Sequence, residues 1–172
     1  MFVLRRLLFD LRCDYAVSEQ VSLSSVPGMI DQPPPVSLLF AQHLAEDLSG
    51  IAEVVITYEH GGLAVGVSPD RPGARAFHWI DFGDEIIVEV GSVGGRWELA
   101  GSEEDLELLR SLVWSVIAGG VTEVFSFQRS RVTVTLPDGT RETETGYEGP
   151  GGCLPLPLWP RWSRTVKYLP YR

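Results

Sequence analysis

Lysine is almost missing from this 172-residue chain, where Lys167 stands alone against thirteen arginines. Cysteine and methionine occur twice each and histidine three times. Cys13 and Cys153 lie far apart, with no Cys-x-x-Cys pair and no histidine at ligand spacing, which excludes a disulfide framework and a zinc site. No metal or other cofactor is expected, and a reducing cytoplasmic setting fits. Three histidines, His43, His60 and His78, supply few bases for a nucleophile, and no Gly-x-Ser-x-Gly elbow is present, so no catalytic residue is assigned.

Long apolar runs are missing as well. The longest charge-free apolar stretch, residues 111–122, is far shorter than the roughly 20 residues that span a bilayer. Arg5, Arg6 and Asp10 interrupt the apolar start MFVLRRLLFDLRC, which excludes a signal-peptide core. Cations are few beside acids, 14 against 23, for a formal net charge of -9. That balance excludes nucleic acid and anionic membranes as expected partners.

What is present reads as one α+β domain. Leu4, Leu7, Leu8, Leu11 and Tyr15 share a stripe and predict an amphipathic helix near residues 2–15. A Ser-rich stretch ending in Pro33, Pro34 and Pro35 then reads as a linker, so residues 1–35 form an N-terminal helix and linker. A core domain follows over 36–148, and a Pro- and aromatic-rich basic tail over 149–172 packs on it or extends from it.

Within the core, Phe40, Ala41, Leu44, Ala45 and Leu48 predict the buried face of a helix that ends at Gly50. From Ile51 the period becomes two. Five short strands joined by tight turns demand an antiparallel meander, because parallel pairs need long crossovers. A further helix begins at Ser102, with Glu103, Glu104 and Asp105 in its first turn, and ends at Gly119 and Gly120. Three strands follow, the last two joined through Asp138 and Gly139 read as a two-residue turn. That register places Thr133 opposite Glu144 and Thr135 opposite Glu142. The expected fold is thus α+β, a largely antiparallel meander of about eight strands against two or three helices.

Three places in the chain could hold chemistry. His78, Asp81, Asp84 and Glu85 gather near one predicted turn, but residues 78 and 81 point to opposite faces of a strand, against a metal site. The glycines at 91–95 lead into another strand and not a helix, against phosphate binding. Glu142 and Glu144 share a strand face, which surface decoration explains. What remains is surface: an acidic body, a Thr- and Glu-rich edge hairpin, and clustered tail aromatics suit a protein interface.

In element order, and in the segment GRWELAGSEEDLELLRSLVWSVIAGG, residues 36–147 resemble the small acidic α+β immunity proteins of bacterial polymorphic toxin systems. The resemblance implies a non-enzymatic inhibitor that occludes a cognate toxin by setting acidic residues against a basic cleft. The partner would be a basic toxin domain, and the inhibitor a monomer or homodimer. Candidate contacts are Asp81, Asp84, Glu104, Glu107, Glu142 and Glu144, with Trp159 and Trp162 of the tail. Two other readings stay open: a secretion chaperone binding an extended segment at a strand edge, and a small-ligand or enzymatic domain with a pocket lined by Trp79, Trp97 and Trp114.

Overall fold

Nine strands and two helices make up the residues that the computed structural model describes, which are 35–59, 61–148, 152 and 163–172. The helix expected near residues 2–15, its linker, and Trp159 and Trp162 lie outside the described residues.

Helix α1 (Leu38–Asp47) starts just past the proline run and stops before Gly50, whose φ of 78° is left-handed. Ala41, Leu44 and Leu48 are buried at helical spacing, while His43 is exposed. Strands β1 (Ala52–Glu59), β2 (Gly62–Pro69), β3 (Phe77–Asp81), β4 (Ile86–Val90) and β5 (Arg96–Leu99) form a five-stranded antiparallel sheet in chain order, the expected meander. Alternation puts Leu63, Val65, Val67, Phe77, Trp79, Ile86, Val88 and Val90 on the buried face. Helix α2 (Glu103–Ile117) contributes Leu106, Leu109, Leu112, Val113 and Val116 to the same core. Ser102 caps it by accepting the Asp105 N–H at 3.2 Å.

The sheet is not single. Strands β6 (Val121–Ser126), β7 (Arg129–Thr135), β8 (Arg141–Tyr147) and β9 (Arg164–Lys167) form a second, four-stranded antiparallel sheet in the order β8-β7-β6-β9. The 15 residues of α2 carry the chain about 22 Å away from the end of β5, so β6 pairs with β7 and β9 and not with the meander. The β4–β5 turn rests on the inner face of this second sheet. Gly94 N–H donates to Ser130 Oγ at 2.7 Å, and a Cβ on Gly94 would lie 2.4 Å from the Ser130 carbonyl oxygen.

The β7–β8 hairpin is shifted by one residue from the sequence expectation. Thr133 faces Thr143, Val134 faces Glu142 and Val132 faces Glu144. A two-residue loop at Asp138 and Gly139 would pair Pro137 with Thr140 and ask proline for an N–H it lacks. The chain instead closes a three-residue loop of Pro137, Asp138 and Gly139. Gly139 N–H donates to Leu136 O, Leu136 N–H donates to Thr140 O, and Gly139 takes φ 87°. Asp138 accepts from the Thr140 N–H and hydroxyl, and those bonds hold its carboxyl below its usual pKa. A one-residue slip moves every side chain to the other face, so Glu142 and Glu144 lie on the face of Val132 and Val134.

Residues 163–172 fold back along the core. Tyr168 N–H donates to Val121 O, Leu169 N–H to Gly73 O and Tyr171 N–H to Ile117 O. Arg172 donates to the Asp47 carbonyl at 3.2 Å, and Arg71 to the Pro170 carbonyl at 3.1 Å. These basic groups bond backbone carbonyls and not the carboxylates that overall charge balance would suggest.

Candidate functional site

Asp81 leaves the candidate surface. It is completely buried at the end of β3, on the face of Phe77 and Trp79. Its Oδ2 accepts from the Ser37 N–H at 3.0 Å and the Ser37 hydroxyl at 2.7 Å, and its Oδ1 accepts from the Gly83 N–H at 2.8 Å. Trp79 Nε1–H donates to the same Ser37 hydroxyl at 3.1 Å. The carboxylate ties the start of α1 to the meander and has no face left for a partner. Ser37 stands at the N-cap position without capping α1, because its hydroxyl is committed to Asp81.

Asp84 and Glu104 do come together with their neighbours. Gly101 packs against the Gly83 and Asp84 backbone, and a Cβ there would sit 3.0 Å from the Gly83 carbonyl oxygen. That approach sets the β3–β4 turn beside the first turn of α2. Asp84, Glu85, Glu103 and Glu104 are all exposed on this end of the molecule. Asp105 is held in the cap, accepting from the Ser102 hydroxyl at 2.8 Å and the Ala100 N–H at 3.1 Å. Glu107 is exposed one turn further on and pairs with Arg110. Phe82, on the β3–β4 turn and 38% exposed, lays its ring against Gly62 of β2. Phe82, Glu85 and Glu103 are not among the contact residues expected from sequence. The signal for Phe82 was an aromatic at the tip of a turn.

Glu142 and Glu144 are elsewhere. The β3–β4 turn and the β4–β5 turn cap opposite ends of β4, and it is the β4–β5 turn that rests on the sheet containing β8. The two glutamates therefore do not join the acidic end. The tryptophans considered as a pocket lining are also dispersed. Trp79 is buried and stacks on Phe40 and Phe77 with centroids 5.8 and 6.3 Å away, Trp97 is buried, and Trp114 is exposed on α2.

The meander's outer face carries a charged row that sequence reading missed. His78, Glu89 and Arg96 are successive cross-strand neighbours. Glu89 lies 3.3 Å from His78 Nε2 and 3.0 Å from an Arg96 guanidinium nitrogen, and Arg96 also reaches Glu98 at 3.1 Å. The His78 hydrogen bond, with help from Arg96, holds the Glu89 carboxyl below the usual range against the opposing effect of burial. His78 thus points away from Asp81, and among the described residues no group of three or more potential ligands could hold a metal ion. Compared with known protein families, curated proteins and solved structures, the chain matches none. Function has to be argued from these surfaces alone.

Proposed function

We propose that this protein is a non-enzymatic binding module of the immunity type, which covers a basic cleft on a toxin domain with its acidic end. The observation that carries this reading is the meeting of the β3–β4 turn with the α2 cap. It brings exposed Asp84, Glu85, Glu103 and Glu104 to one end of the molecule, with Phe82 exposed on the β3–β4 turn. Acids in the first turn of a helix favour its dipole, which accounts for Glu103 and Glu104 on α2 but not for Asp84, Glu85 or the aromatic on their turn. An exposed aromatic on the same end as a group of charges suits a steered interface, where the charges speed encounter and the anchor slows release. The net charge of -9 adds attraction toward a basic partner at long range.

The secretion-chaperone reading draws on the outer edge of β8, with which no described strand pairs. Arg141, Glu142 and Glu144 along that strand are side chains of the kind that blunt an edge against pairing, so it ranks second.

The test is capture of partners from the native host's lysate on tagged wild-type protein and on D84K/E104K, at low and moderate salt. One stoichiometric, folded, basic partner, held by wild type and weakened at least about tenfold by the reversal, supports the reading. A partner held equally by both proteins, or an unfolded one, overturns it.

A further inference from the structure

The outer face of the four-stranded sheet sorts charge in the opposite sense to the rest of the chain. Register puts Lys167, Thr122, Thr133 and Thr143 in one row, Thr165, Val124, Arg131 and Thr145 in the next, and Ser126, Arg129 and Tyr147 beyond. Thr135 and Arg141 complete the face. Every glutamate of these strands, Glu123, Glu142 and Glu144, falls on the opposite face. The outer face therefore displays Lys167, Arg131 and Arg141 with six threonines and no carboxylate from any of its strands, while Arg129 on the same side is buried. The nearest acids along the chain are Asp138, bound to Thr140 in the loop, and Glu148 past the end of β8.

The face is ordered as well as charged. The Thr133 and Thr143 hydroxyls lie 3.0 Å apart, Arg131 donates to the Thr145 hydroxyl at 3.3 Å, and the Arg129 guanidinium sits 5.6 Å from the centre of the Tyr147 ring. Arg141 and Lys167 are exposed on the two edge strands, and no described carboxylate pairs with either.

We propose that this face is a second docking surface, for a short acidic polypeptide segment. Edge strands three spacings apart, with a two-residue offset along β8, set Lys167 and Arg141 about 16 Å from each other, the reach of about five extended residues. Thr122 and Thr133 lie between them, and Arg131 lies one row to the side, as further donors to carboxylates. A polynucleotide fits less well, since a long polyanion overruns the face and meets a body of net charge -9. This surface is separate from the acidic end and stands whether or not that end binds a toxin.

The experiment titrates full-length protein into a fluorescein-labelled oligoglutamate peptide and into an oligothymidylate of equal length, both at low ionic strength. Wild type is expected to give saturable anisotropy with the peptide. R141Q/K167Q should bind more weakly, R141E/K167E at least about tenfold more weakly, and D84K/E104K no more weakly than wild type. Circular dichroism melts check that the variants stay folded, and the neutral pair carries the test should the reversed pair not fold. No saturation in wild type, equal affinity in both R141/K167 variants, or tighter binding of the oligothymidylate overturns the proposal.

Discussion

Replacing Ser37 with alanine tests whether Asp81 is a structural carboxylate. One hydroxyl links three groups: it donates to Asp81 Oδ2 at 2.7 Å and accepts from Trp79 Nε1–H at 3.1 Å, while the Ser37 N–H holds the same oxygen at 3.0 Å. All three residues are fully buried, so water cannot replace the lost oxygen. Losing a hydrogen bond to a charged acceptor costs about 1.5–3 kcal/mol, and stranding a buried indole N–H about 1–3 kcal/mol. Asp81 keeps two backbone donors, which places Ser37→Ala near 3 kcal/mol, or a fall in Tm of about 10 °C for a domain of this size. Thermal and urea denaturation followed by circular dichroism measure it. Trp79→Phe removes the other end of one of these bonds, so the double variant should cost less than the sum of the singles. A fall below about 2 °C, or strict additivity, refutes the network as a source of stability.

Other perturbations are read in simpler assays. The folded pKa of Glu89 lies below its ordinary 4.5, so its contribution is present above that value and lost as pH falls through the folded one; melts from neutral to acid pH should fall more steeply for wild type than for Glu89→Gln. Tyr168 is pushed up to about 12 by burial and by its 2.7 Å bond to Glu123, and burial raises Tyr171 as well. Their share of stability is complete below the ordinary value of about 10 and disappears as pH climbs through the folded values; ultraviolet titration should show a late phase in wild type that is smaller by one tyrosine in Tyr168→Phe. Gly94→Ala drives a methyl into the Ser130 carbonyl, while Gly66→Ala on the outer face of β2 meets nothing within 4 Å. The first should cost more than about 2 kcal/mol in urea denaturation and the second should be neutral or mildly stabilising.

Period-two alternation made the meander legible, and the Ser102 cap with its acids made α2 legible. The same alternation held the answer on Asp81, since Phe77, Trp79 and Asp81 fall on one face and two of them are plainly core. A charged residue at a turn reads as solvated by habit. Its burial depends on donors from Ser37, 44 positions away, and no local pattern predicts those. Glu123 repeats the case between Val121 and Phe125: its two oxygens take the Ser92 N–H at 2.9 Å and the Tyr168 hydroxyl at 2.7 Å. The split into two sheets was hidden for a similar reason. Helix length tells how far the chain travels before β6, but the partner strand β9 arrives from beyond residue 163.

The hairpin register had a local determinant that composition alone concealed. Pro137 serves as the first loop residue of a three-residue turn and cannot serve as the last ladder residue of a two-residue one. That single proline decides where the charges of RETET go. In the two-residue register Glu142 and Glu144 would stand beside Thr133 and Thr135 on the outer face and neutralise it. In the observed register they sit behind Val134 and Val132, and Arg141 emerges on the face with Lys167 and Arg131. Charge sorting on this sheet is therefore a consequence of turn chemistry. An acidic chain displays a cationic surface because a missing N–H moves one strand by one residue.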